Sequence, residues 1–546
     1  TPVSSKITWN LGARTSYLNA AELNSFDLTQ PQSDFYRNNF RSLSRSERIK
    51  TNPFFNFRDL NSKITYASGN GLKIDLNFFG SYDQLKNNYD IKYSSRINRE
   101  DAISTEIFRN SENWENLGTS LNLEGILNNN WTIYSNTYFS AYSNFSDIRS
   151  MLTVDLPGKD MSSGFSNIQE GKIVSGGSIF YLVNHSEKQE FKFGIDYKYN
   201  QAAYSFGEDD KMLLNGKDHA NQSSIFFEKI WAKNKNTNFI FGGRSTFYSP
   251  TGKLYLDPKF QINHHSGEYL TFKTSIHYAN QFTRELNYEN RLGQSANYLV
   301  MADGHKYPVG TSWQYMLGID LNRSGWNLDV EFYRKSLDGV LEYSLQMPGI
   351  DPNQGFNKSR SYRVFSGKGK ITGMDLLLSR SVKKYTGWIA YTLSKSTRQF
   401  REIRKNNPFP AENDRRHQFK WVNSYDLGNF TFSANYIFSS GKPYLALDEI
   451  PGEIDRRQLE SRAFIRNLPS YQRLDLGLDY HFNLAGKKAT LGVACFNITD
   501  HHNVKYLQYI YSVQADNEAG RPVNTILGTE TSLLGRTPNL RFHLDF

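Results

Sequence analysis

The chain is 546 residues long, carries a formal net charge of +10, and is 38% hydrophobic and 15% aromatic with a single cysteine. Its mean hydropathy is −0.62, and no stretch approaches the ~20 consecutive apolar residues of a membrane-spanning helix, so a helical span is excluded. One cysteine, Cys495, excludes an intramolecular disulfide framework. Lys and Arg are dispersed among acids, as in Arg401-Glu402-Ile403-Arg404-Lys405 and Asp455-Arg456-Arg457, without the basic stripe of a nucleic-acid-binding surface, so no nucleic-acid partner is expected.

In chain order, an alternating segment near 7–17 reads as the first strand. Leu60 to Tyr66, a turn at Ala67-Ser68-Gly69-Asn70-Gly71, and Leu72-Lys73-Ile74-Asp75-Leu76-Asn77-Phe78 follow as a hairpin. Leu72, Ile74, Leu76 and Phe78 share one face and Lys73, Asp75 and Asn77 the other, while Gly and Asn provide the positive-φ positions of a tight turn. The unit recurs around Asn128-Asn129-Asn130, Lys233-Asn234-Lys235-Asn236, Arg323-Ser324-Gly325 and Asp426-Leu427-Gly428-Asn429. Between these short turns lie longer polar segments, at 83–116, 143–172, 202–221, 281–311, 337–369, 398–415, 440–470 and 498–535. The last residues, Leu540-Arg541-Phe542-His543-Leu544-Asp545-Phe546, alternate strictly and end on an aromatic.

About twenty strands of ~10 residues, half apolar, joined alternately by short turns and long loops, are the pattern of a transmembrane antiparallel β-barrel. A closed barrel satisfies its backbone hydrogen bonds between strands, so a polar average composition is compatible with spanning a bilayer. No linker divides the chain, and residues 1–546 read as one all-β unit. On an alternating strand Cys495 shares a face with Leu491 and Val493 and serves as a small hydrophobe.

Catalytic signatures are missing: there is no HExxH, no GxSxG and no Walker loop. Gly367-Lys368-Gly369 begins like a nucleotide fingerprint, but Gly373 is wrongly spaced and the segment alternates as a strand. His264 and His265 are adjacent on a strand, so they point to opposite faces and cannot share a metal. His501-His502, in a loop, reads as surface histidines. Neither an enzyme nor a resident cofactor or metal is expected.

Three consecutive pieces carry a resemblance: Ser366-Gly367-Lys368-Gly369-Lys370-Ile371-Thr372-Gly373-Met374-Asp375-Leu376, Thr386-Gly387-Trp388-Ile389-Ala390-Tyr391-Thr392-Leu393-Ser394-Lys395-Ser396, and Asn413-Asp414-Arg415-Arg416-His417. Further on come Ser439-Ser440-Gly441-Lys442-Pro443-Tyr444, Leu468-Pro469-Ser470-Tyr471-Gln472-Arg473-Leu474-Asp475-Leu476 and Phe496-Asn497-Ile498-Thr499-Asp500. Together they resemble the barrel of a Bacteroidetes-type TonB-dependent outer-membrane receptor, strongly from about 300 onward and loosely before. The resemblance implies a 22-stranded barrel around a plug domain. The chain shows neither a plug nor the first hairpin of such a barrel, and both are expected upstream or in a separate chain. It also implies import of a scarce ligand (siderophore, metal chelate, peptide or glycan) driven by TonB. A passive porin-like channel or a structural barrel component of a larger complex is the alternative.

Ligand-facing candidates are the loop aromatics and bases Tyr288, Arg291, His305, Lys306, Tyr307, Arg398, Phe400 and Arg404. Leu540, Phe542, Leu544 and Phe546 are the expected assembly signal. The expected partners are TonB through the plug, outer-membrane lipid and lipopolysaccharide, the barrel-assembly machinery and a surface lipoprotein.

Overall fold

The computed structural model describes residues 2–16, 29–31, 50–51, 54–97, 100–156, 159–186, 189–208, 211–289, 295–345, 362–446, 465–515, 522–532 and 535–544. One 22-stranded antiparallel sheet dominates it. Two members, Lys50–Thr51 and Phe409–Pro410, are two-residue segments.

The other twenty follow each other in chain order. They are β1 Ile7–Thr15, β2 Phe54–Ala67, β3 Leu72–Ile97, β4 Glu100–Ile126, β5 Trp131–Leu156, β6 Lys159–His185 and β7 Gln189–Glu208. Next come β8 Lys211–Asn234, β9 Thr237–Tyr248, β10 Lys253–Ser266, β11 Leu270–Gln281, β12 Gly310–Arg323, β13 Trp326–Leu345 and β14 Tyr362–Val382. The last are β15 Tyr385–Gln399, β16 His417–Asp426, β17 Phe430–Ser439, β18 Tyr471–Leu484, β19 Lys487–Phe496 and β20 Thr537–Leu544. Each pairs with its neighbours in sequence, from Ile7↔Tyr66 to Leu491↔Phe542.

The short turns at one end are local side-chain chemistry. Asn128 Oδ1 accepts from the amides of Asn130 and Trp131, Asn234 Oδ1 from Asn236, and Asp426 Oδ1 from Gly428. These loops of side chain onto backbone set the chain reversal without a partner elsewhere. Rings gather beside these turns: Trp231 stacks on Phe239 at 5.6 Å, Tyr480 on Phe482 at 5.4 Å, and Trp131 meets Phe193 edge-on at 6.1 Å. Such a belt of rings beside the short turns is what a transmembrane barrel carries where its wall leaves the bilayer.

The two faces of the wall differ as alternation requires. Leu76, Phe78 and Leu121 point outward, 40–48% exposed, and Leu256 and Leu317 are barer still. Inward, Asp75 is buried against Thr65 and lies within ion-pair distance of Lys63 and Lys73. Lys273 reaches Asp329 at 2.8 Å, and Arg473 reaches Asp475 at 2.8 Å. Arg541 contacts Asp479 at 2.7 Å across β19, where a Cβ on Gly492 would stand 2.3 Å from the Asp479 carboxylate. Leu476, Leu478 and Tyr480 face the other way, each at least 36% exposed.

The expected loops at 83–116, 143–172 and 202–221 are corrected by the structure. β3 to β8 run 20–27 residues each, and their outer hairpins turn within a few residues of 97, 156 and 208. A bilayer uses ~9–11 residues of a tilted strand, so the remainder stands above it. There the outer face meets water while the inner face, at Asn110, Asn167 and Gln169, is buried but polar, so the apolar alternation that marks a lipid-facing strand disappears although the backbone ladder continues. In the segment expected as a loop at 498–535, Val504–Ala515 and Pro522–Ser532 pair as a hairpin, and Thr29–Pro31 adds to it as a third strand. Among the described residues β1 pairs only with β2 and β20 only with β19 along their lengths.

Candidate ligand-binding mouth

On the side away from the short turns, the segment between β11 and β12 turns inward. Its strands Thr283–Glu289 and Ser295–Met301 pair in register Leu286↔Tyr298 and Arg284↔Val300. The alternation Phe282, Arg284, Leu286 buries one face of the first strand. Leu286, Tyr298 and Val300 pack with Tyr204 and Phe206 of β7, Tyr307, and Leu341 of β13. The Tyr204 and Tyr298 ring centroids are 5.9 Å apart. The hairpin therefore reaches from one side of the mouth to strands several places away in the wall.

Its base is pinned separately. Phe282 stacks on Tyr248 at 4.5 Å and meets Tyr255 edge-on at 5.2 Å, and the Tyr248 hydroxyl donates to the Ala302 carbonyl at 2.8 Å. Arg284 is 8% exposed and donates to the Gly339 carbonyl and, at 3.3 Å, to Gln281 Oε1. Gly310 makes room for it, since a Cβ there would lie 1.7 Å from the guanidinium, and Gly339, whose carbonyl it meets, takes a positive φ of +71°. Among the described residues its acceptors are neutral, and a buried guanidinium whose desolvation is not offset by a carboxylate is costly. Burial, then the neighbouring Tyr307, pushes the Tyr204 phenol far above its usual range. Burial, then the Asp303 carboxylate, raises Asp218 of β8.

Next to the Leu341 contact, Arg398 of β15 and Glu342 of β13 form an inward ion pair at 3.0 Å, both less than one-fifth exposed. Beyond it Phe365, Phe400, Ile403 and Phe409 form a buried cluster. The turn that follows holds Arg404, Lys405 and Asn406 at φ +51°, +52° and +63°. Non-glycine residues seldom adopt this conformation, and here it holds Arg401, Arg404 and Lys405 exposed at the rim. The Arg404 guanidinium donates to the Pro408 carbonyl at 3.0 Å.

A second built turn flanks the mouth at 497–503. The amides of Asn497 and Asn503 are buried at 1% exposure. The Asn497 backbone N–H donates to Asp475, and its side chain bonds the carbonyl and N–H of His501. The Asn503 side chain bonds the N–H and carbonyl of Gln472, each at 2.8 Å.

The residues expected at the site divide. His305, Lys306 and Arg404 are exposed, with Lys306 Nζ 5.1 Å over the Tyr307 ring. Tyr307 and Phe400 are 4% and 1% exposed and face the loop cores, so here they pack loop on wall. Arg398 is engaged by Glu342. Tyr288 lies opposite Ala296 in the hairpin, and Arg291 is outside the described residues. Sequence reasoning missed Arg284, Tyr204 and Tyr298; an arginine within an alternating apolar run was the available signal. His264 bonds Thr237 of β9 at 2.9 Å and His265 bonds Thr271 of β11 at 2.8 Å. His501 Nδ1 lies 3.1 Å from Asn503 Oδ1. Leu540 and Phe542 project outward, 70% and 57% exposed, Leu544 is half-buried, and Phe546 is outside the described residues.

Among solved structures, the fold is similar to the ferric-catecholate import receptor Fiu from E. coli K12, at 9% identity and TM-score 0.52, covering 89% of this chain and 81% of that one. The copper transporter OprC matches at 10% identity and TM-score 0.51, covering 90% and 82%. The siderophore receptor PiuA from Acinetobacter baumannii matches at 12% and 0.50, covering 91% and 81%. No curated protein sequence matches the chain. The family model described as TonB dependent receptor-like, beta-barrel matches residues 5–498, and the chain therefore belongs to the TonB-dependent receptor family of outer-membrane proteins.

Proposed function

We propose that this barrel forms the wall of an energised importer whose extracellular mouth takes a scarce, compact ligand, with a metal chelate such as a siderophore complex favoured over a long glycan. The observation that carries the reading is the mouth: an inward-folded hairpin packs on Leu341 of β13, and the segment after β15 beside it carries the exposed bases Arg401, Arg404 and Lys405. Chelates that bind metal through oxyanions carry negative charge, which such a rim attracts. His305 and Lys306 extend the basic surface, and Arg398 joins it once freed from Glu342. Tyr288, Arg291, Tyr307 and Phe400 are proposed contacts only in a rearranged mouth.

The same reading supplies a plug domain inside the barrel through which TonB acts, and a further hairpin beside β1. Support for the hairpin is the seam: among the described residues β1 and β20 each pair on one side, and unsatisfied backbone groups in hydrocarbon cost several kcal/mol each. Outer-membrane lipopolysaccharide around the wall, the barrel-assembly machinery reading the last strand, and a surface lipoprotein over the mouth complete the proposed partners. The Bacteroidetes type rests on motif resemblance. A passive channel is the competing reading.

The test is uptake of iron-55 carried by a panel of catecholate, hydroxamate and carboxylate chelates into cells with and without the complete receptor. At least one chelate should depend on the receptor, with uptake reduced in the R401A/R404A/K405A triple variant. Receptor-independent uptake of every chelate would leave the chelate reading without support.

A further inference from the structure

On the inner face of the tall wall, Asn110 of β4, Ile148 of β5 and Asn167 of β6 lie directly opposite one another. Directly opposed residues share a face. That face is the one the hairpin covers: Gln169, two residues from Asn167, opposes Phe206 of β7, and Phe206 packs with Tyr298 and Val300. Strand Ser295–Met301 itself runs against β6, β7 and β8.

Asn167 is 0% exposed and Asn110 5%. Among the described residues neither side-chain atom of Asn167 has a hydrogen-bond partner, and Asn110 Oδ1 has none; the Asn110 amino group is taken by Glu112. Buried amides are almost always satisfied by protein or water, and each orphan carries its full desolvation penalty. The closed packing is thus opposed from within by groups that would be satisfied if the hairpin lifted and something polar entered.

We propose that the hairpin strands Thr283–Glu289 and Ser295–Met301 form a lid over a ligand site on this face. Asn167 and Asn110 there receive an uncharged group that both donates and accepts hydrogen bonds. The orphan set fixes the chemistry: Asn167 offers a donor and an acceptor, Asn110 an acceptor. Between them lies Ile148, which suits a ligand with an apolar stretch between two polar groups. Two strand spacings separate the asparagines, roughly 10 Å. A peptide amide and a saccharide hydroxyl both meet the requirement. The inference rests on the mouth being the ligand face, as proposed above.

The test uses the full chain in a Cys495→Ala background, with cysteines at the facing positions Tyr204→Cys and Tyr298→Cys so that oxidation locks the lid. Two uncharged probes, N-acetyl-trialanine amide and maltotriose, are titrated calorimetrically. At least one should bind the reduced protein and neither the oxidised protein, and which one binds identifies the source of the group. Asn167→Leu, similar in volume without the amide, should weaken that binding about tenfold or more. Asn110→Leu should weaken it too, which keeps the test alive if the first variant does not fold. Binding of neither probe to the reduced protein, equal binding to the locked protein, or unchanged affinity in the folded leucine variants would overturn the lid site. Iron uptake by a receptor that binds neither probe defeats the lid site alone, and probe binding without uptake of any chelate defeats the import reading alone.

Discussion

The side-chain amide of Asn503 bonds both the N–H and the carbonyl of Gln472, each at 2.8 Å, and so occupies the place a neighbouring strand's backbone would take at the outer end of β18. The chain leaving β19 is tied to the wall at this point, where the regular ladder has ended. Asn503→Ala would leave a donor and an acceptor of Gln472 without partners, at about 1–3 kcal/mol for each buried group. Asn503→Asp keeps the acceptor and loses the donor. The midpoint of heat-modifiable unfolding in detergent should therefore fall in the order wild type, Asp, Ala. Equal midpoints for all three would remove the proposed role.

The faces of β3 make a second prediction. Leu76, outward and 47% exposed, should tolerate arginine poorly, at ~2–4 kcal/mol near the bilayer midplane,. Lys73→Gln should cost little, since Lys63 remains beside Asp75. Folding titrations into lipid vesicles check this, and similar losses at both positions would contradict the assignment of faces.

Asp218 gives the mouth a pH dependence. Burial, then Asp303, raises its carboxyl above the usual value, against the attraction of Lys306 and His219. A carboxyl that binds its proton more tightly when folded favours the folded arrangement while protonated. That contribution fades as pH rises through the raised value. The packed mouth should be more protected from protease at about pH 4, the ordinary carboxylate range, than at neutral pH, and Asp218→Asn should flatten the difference. A wild-type profile that rises with pH instead would reverse the sign and refute the account.

Much of this was legible because a bilayer writes a simple code. Leu72, Ile74, Leu76 and Phe78 alternate with Lys73, Asp75 and Asn77 because one face meets lipid, and asparagine-built turns such as Asn128–Asn130 mark each return. The strand count of about twenty followed from those signals. Above the bilayer the code stops. The outer halves of β3 to β8 pair backbone to backbone, with polar residues on both faces, and read as loops. The mouth was legible as composition but not as packing. Tyr307 and Phe400 are loop aromatics by sequence and core residues by position, since burial of a loop is decided by partners far away in the chain. The arginine of the Phe282, Arg284, Leu286 run was the visible sign that this segment folds inward.

The seam allows a direct check. Cysteine pairs placed along β1 and β20, such as Leu11→Cys with Leu540→Cys and with Phe542→Cys, should remain reduced in native outer membranes if another hairpin lies between the strands. Spontaneous disulfides in one consistent register would show that β1 and β20 pair directly and that no hairpin is needed.

Energised transport through this barrel is tested most directly by accumulation of the accepted iron-55 chelate by cells carrying the complete receptor, with and without functional TonB. The account predicts chelate binding at the surface in both strains and accumulation only where TonB functions. Equal accumulation in the two strains would contradict it and identify the barrel as a passive channel.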